Sequence, residues 1–103
     1  MKEMNDDRQF PVLIERRLKF LRSPDDIDID IVVQVGYPKW TIPNIEAVCP
    51  VSFVGGIGRV KDICGVDPLN AMKQAITFIE TYLSYPEGNG KFFWEDGEEY
   101  DGG

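Results

Sequence analysis

Between Asp26 and Val35 the chain alternates acidic and aliphatic side chains. Ile27, Ile29, Ile31, Val33 and Val35 take one set of positions, and Asp26, Asp28 and Asp30 take the other. A repeat of two is the repeat of a β-strand with one face buried and one face in water. A helix would scatter the same aliphatics around its circumference. This chain must therefore build a sheet with a wet side.

The flanking segments extend the pattern. From Phe10 to Leu21, Ile14, Leu18 and Phe20 share one face, with Arg16 interrupting it, while Glu15, Arg17 and Lys19 share the other. Arg22-Ser23-Pro24-Asp25 carries turn chemistry. Folding the two strands about Ser23-Pro24 would set Lys19 opposite Asp28 and Arg17 opposite Asp30, cross-strand pairs of opposite charge. The stretch from Gly36-Tyr37-Pro38-Lys39-Trp40 to Pro43-Asn44 predicts a loop, because prolines remove ladder donors. Ile45 to Val54 predicts a third strand, with Pro50 marking an edge or a bulge. Gly55-Gly56-Ile57-Gly58 predicts a hairpin turn; it lacks the third glycine of a dinucleotide loop and leads into a strand, Arg59 to Cys64.

After Gly65 the period changes. Asp67 can cap free amides, and Pro68 suits the first helical position, where its missing N–H costs nothing. Leu69, Met72, Ile76, Ile79 and Leu83 then recur at three- and four-residue steps, flanked by Ala75 and Tyr82, predicting a helix to about Ser84. Asn70, Lys73, Gln74, Thr77 and Glu80 form its wet side. Pro86, Gly88 and Gly90 end it. Lys91 to Glu95 predicts a short last strand. The order β-β-β-β-α-β predicts an α+β fold: an antiparallel sheet of about five strands with one helix packed on one face. The 103 residues make a single domain, with a polar lead-in over 1–9 and an acidic tail over 96–103.

Composition narrows the chemistry. The chain has no histidine, so Ser–His and Cys–His nucleophile pairs are excluded, and its two cysteines, Cys49 and Cys64, are not spaced for zinc. Those cysteines fall roughly opposite each other if the third and fourth strands pair, which would allow contact; two reduced, buried thiols fit a cytosolic chain better. The Asp26, Asp28, Asp30 ladder could hold a hard cation, but cross-strand pairing with Lys and Arg accounts for it more simply. No metal, no cofactor and no catalytic residue is expected; a histidine-free enzyme would need a raised carboxylate such as Glu46 or Asp62. The start, Met1 to Arg8, carries no apolar signal region, and no apolar run reaches transmembrane length, which predicts a cytoplasmic protein.

Eighteen acidic residues against eleven basic ones give a net charge of −7. Direct binding to nucleic acid or an anionic membrane is disfavoured, since phosphate is held by Lys and Arg. A basic protein partner is favoured. From Glu87 to Gly103 the local charge is −5, with aromatics interleaved. Glu95, Asp96, Glu98, Glu99, Tyr100 and Asp101 are therefore the candidate partner-binding residues. Tyr37 and Trp40, in the proline-containing loop, are a second candidate pair.

Glu15-Arg16-Arg17-Leu18, then Gly36-Tyr37-Pro38, Trp40, Cys49-Pro50, Gly65-Val66-Asp67, Ala71 and Ala75 occur in an order that resembles a family of small bacterial domains of unknown function. The resemblance spans about residues 13–95. It implies an antiparallel sheet with one helix and a capping role for the glycine and aspartate at the helix start, and it brings no activity. In size and charge the chain is also similar to immunity proteins of contact-dependent growth inhibition. That similarity implies a non-catalytic inhibitor of a basic toxin domain such as an RNase or other nuclease. The alternative is a small-molecule, peptide-binding or assembly module using a strand edge.

Overall fold

The computed structural model describes residues 9–22, 28–55, 60–84 and 90–100. They form β1 (Val12–Leu21), β2 (Ile29–Gly36), β3 (Lys39–Ile42), β4 (Glu46–Val54), β5 (Val60–Gly65), α1 (Pro68–Ser84) and β6 (Lys91–Trp94). The fold is α+β, an antiparallel sheet with one helix packed against it. The turns expected at Ser23-Pro24-Asp25, Gly56-Ile57-Gly58 and Pro86 to Gly88 lie outside the described residues, as do Asp26, Ile27 and Asp101.

β3 occupies a stretch expected to be loop. Pro38 and Pro43 bracket it without entering it, so its residues keep their ladder donors. β2 and β3 pair with successive stretches of β4, Val35 with Val51 and then Lys39 with Val48. β3 thus continues β2 past an irregularity at Gly36-Tyr37-Pro38, and the sheet runs β5, β4, β2 with β3, β1, β6. β4 is interior, so Pro50 marks no edge. With Cys49 it falls between the stretches of β4 that pair with β3 and with β2, where an interior strand can spare a donor, while on the other side it stands opposite Asp62 of β5.

The β1–β2 register differs from expectation by two residues. Lys19 faces Asp30, and Arg17 faces Val32. A shift of two preserves parity, so the faces are unchanged. Lys19 Nζ donates to Asp30 Oδ1 at 2.7 Å. That hydrogen bond holds the Asp30 carboxyl below its ordinary value and the Lys19 ammonium above its own. Arg17 pairs instead with Glu15 on its own strand, at 3.0 Å.

β5 and β6 lie at opposite edges of the sheet, and α1 crosses one face to join them. The core sits beneath it: Leu18, Ile31, Val33, Val35, Ala47, Cys49, Val51 and Phe53 from the sheet, with Ala71, Ala75, Ile79 and Leu83 from the helix. α1 has the bounds the sequence predicts. Asn70 N–H donates to Asp67 Oδ1 at 2.7 Å, and Asn70 Oδ1 accepts from Val66 N–H at 3.0 Å, closing the N-terminus in both directions.

The buried stripe keeps Ile79, Leu83 and Ala75 of the expected one, with Met72 and Tyr82 packed against the core, but loses two members. Leu69 is 80% exposed and Ile76 38% exposed, while Ala71 and Ala75 are fully buried. Gly65 gives the reason. A Cβ there would lie 2.4 Å from the Ala71 backbone nitrogen and 2.6 Å from its Cα. The helix start is pressed onto β5 through its small residues, so the alanines face the sheet and Leu69 turns outward. Gly65 therefore serves close packing, where a capping role was expected, and the capping falls to Asp67 with Asn70. Gly65→Ala will lower stability by about 1–3 kcal/mol, the usual cost of forcing a methyl into a packed contact. A thermal midpoint equal to wild type would show that the helix start can lift without cost.

Candidate functional site

The strongest concentration of uncommitted charge follows β6. From Glu95 to Tyr100 the chain does not trail away as a tail; it turns back on itself. Gly97 N–H donates to Trp94 O at 2.9 Å, Trp94 N–H to Glu98 O at 2.8 Å, and Tyr100 N–H to Phe92 O at 2.9 Å. Glu98 N–H donates to Asp96 Oδ1 at 3.0 Å, a local turn of the kind aspartate favours. Gly97 has φ 96° with open space where a Cβ would stand, so the turn needs glycine for its backbone conformation, not for room. Phe93 and Glu99 form a β-bridge.

What pins this return is Tyr100. It is 8% exposed, with its ring 5.1 Å from that of Trp94 in an edge-to-face arrangement. Its hydroxyl accepts from Arg16 Nη1 at 3.0 Å. The Arg16 guanidinium lies 5.3 Å from the Trp94 ring centre and 5.6 Å from that of Tyr100. Arg16, which interrupts the apolar face of the first strand, is thus accommodated on the core side by two aromatic faces and a hydroxyl. Tyr100 is accordingly removed from the exposed contact candidates: it is a core residue that fixes the turn. Nothing in the sequence pairs position 16 with 94 and 100, because the contact exists only once β6 docks on β1, Leu18 against Trp94.

The turn carries Glu95, Asp96, Glu98 and Glu99 into solvent. Glu99 is 3.6 Å from Lys91, a pair exposed on both sides and worth little. Glu95, Asp96 and Glu98 form no ion pair among the described residues. A shallow depression beside the turn is lined by Glu15, Arg16, Arg17, Trp94, Glu95 and Asp96.

Trp40 and Tyr37 are exposed, at 40% and 56%, but they do not join this surface. Trp40 lies on β3, which pairs with β4, whereas the acidic turn follows β6 at the β1 edge. The partner-binding candidates therefore fall into two separate places. Every residue of β3 is exposed, and Ile42 and Ile45 add apolar surface near Trp40.

The remaining candidates are structural. Among the described residues no group of three His, Cys, Asp or Glu could hold a metal ion. Cys49 and Cys64 are both free and sit one register step apart, Cys49 opposite Ile63 and Cys64 opposite Val48. One step reverses the face, so Cys49 is buried and Cys64 exposed, and they do not meet. Lost hydration and the neighbouring Glu46 carboxylate raise the Cys64 thiol above its ordinary value. Among the described residues no helix is long and apolar enough to cross a membrane.

A second feature was not foreseen. A cleft of about 240 Å³ opens between α1 and the start of β1, floored by Val33, Val35 and Ile79 and walled by Ile14 and Ile76. Arg16 and Glu80 stand at its rim. It exists because a single helix leaves part of the sheet face beside it uncovered. No protein-family model matches this chain, and neither a curated protein nor a solved structure matches it.

Proposed function

We propose that this chain is an acidic binding protein whose return turn, Glu95 to Glu99, docks a cationic surface of another protein. A basic toxin nuclease, blocked as an immunity protein blocks its toxin, is the partner class this chemistry suits. One observation supports the reading above others. The carboxylates stand on a turn fixed by three backbone hydrogen bonds and a buried tyrosine, and among the described residues only Glu99 of the four makes an ion pair. Anions held in place lose little freedom on binding, so more of their attraction appears as affinity. A nuclease cleft arranged to hold phosphates offers Lys and Arg that accept carboxylates equally well.

The test is inhibition of cationic toxin nuclease domains by the wild type and by E95Q/D96N/E98Q/E99Q. This variant keeps Tyr100; truncation after Asp96 would delete it and loosen the very element under test. The expected result is inhibition of a cognate nuclease by the wild type, weakened at least about tenfold in the variant. Equal inhibition by both proteins would refute a role for the turn. A second reading, a peptide or assembly partner added along β3, is favoured by the exposure of Trp40 and Ile42 on that strand. It predicts binding that salt barely alters and that Trp40→Ala weakens.

A further inference from the structure

We infer that a second copy of this chain docks against the lateral ridge of α1 and the adjoining cleft, forming a twofold dimer. The ridge consists of Leu69, Lys73, Ile76 and Glu80, spaced by four, three and four residues, which places them on one stripe. Its aliphatic members are the ones the core leaves out: Leu69 is 80% exposed and Ile76 38% exposed. Across the cleft Ile14 is 50% exposed. A sheet five strands wide measures roughly 20–25 Å across, and one helix with its side chains covers only about 10–12 Å of it. The uncovered strip beside α1 is where a second helix would complete the layer.

Charge decides the occupant. Lys73 and Glu80 are the only charged residues of α1, both are exposed, and neither forms an ion pair among the described residues. They stand symmetrically about the Ile76–Thr77 peptide. A twofold axis through that point, with the helices antiparallel, sets Lys73 against Glu80 of the second copy and Glu80 against Lys73 of the second copy. It also brings the two Ile76 side chains together at the mouth of the cleft. The ridge is thus complementary to itself, as a twofold interface requires, and an unrelated partner would have no need of that symmetry. The ridge and the acidic turn share no residue, and the cleft meets the depression beside the turn only at Glu15 and Arg16.

Sedimentation velocity on the full chain tests this. The wild type should be dimeric. K73E and E80K should each dissociate, with a dimer constant at least about tenfold weaker, because each juxtaposes like charges twice. Mixed in equal amounts they should associate again, since one copy then presents two acids and the other two lysines. The double swap K73E/E80K should dimerise like the wild type. Recovery on mixing also shows that each variant is folded. A monomeric wild type, a dimer indifferent to either single reversal, or a mixture that stays monomeric would each overturn the proposal.

Discussion

Phe53→Ala will lower stability by about 3–5 kcal/mol, the largest effect of any single truncation in this chain. Phe53 is 1% exposed at the centre of the sheet. Its ring lies 4.4 Å from that of Tyr82 and 6.1 Å edge-on from that of Phe78, so it joins β4 to the second half of α1. Tyr82 in turn meets Phe92 at 6.2 Å, which meets Phe20 at 4.9 Å. Removing Phe53 opens a cavity that neither the paired strands nor the helix can collapse to fill. Domains of this size hold about 5–15 kcal/mol in total, so the variant will be mostly unfolded in mild urea. A loss below about 1 kcal/mol, far under the range for a buried aromatic, would mean that α1 does not pack where the structure places it.

Tyr100→Ala will act differently. The lost ring is worth about 3 kcal/mol by the same measure, but it lies close to the end of the described chain and closes one turn, so the damage should be local. Amide exchange will rise at Glu98 and Tyr100 while the amides of β2 and β4 stay protected. Tyr100→Phe keeps the ring and loses only the Arg16 hydrogen bond, a change of about 1 kcal/mol. Exchange measured by NMR separates the cases. Uniform deprotection would show that the return is part of the global folding unit, and no change would show that Tyr100 does not clamp it.

These predictions turn on contacts that the sequence displays unevenly. The acid–aliphatic alternation over 26–35 and the cap at Asp67 are local; the strand they mark is found from Ile29 onward, and the helix has its expected bounds. The β1–β2 faces were legible for the same reason, although the register slipped by two: patterning fixes parity, whereas turn length fixes the pairing. β3 was hidden because its prolines look like breakers when they are boundaries. The helix stripe was read from the three- and four-residue spacing of its large apolar residues, and the close approach at Gly65 rotated its start to favour alanine over leucine at the contact. The clamp was the least visible feature. Arg16 and Tyr100 are 84 positions apart, and an arginine on an apolar strand face gives no hint of the two rings that will cover it. The acidic segment was visible from charge alone, but its conformation was not: read as a tail, it is over Glu95 to Tyr100 a hydrogen-bonded turn.

The central claim is that this turn presents fixed carboxylates to a cationic partner. It is tested most directly by stopped-flow association with an inhibited nuclease domain across a series of salt concentrations. The wild-type rate should fall steeply with ionic strength, and E95Q/D96N/E98Q/E99Q should be about tenfold or more slower at low salt with a flattened slope. Superimposable salt profiles for the two proteins would contradict it.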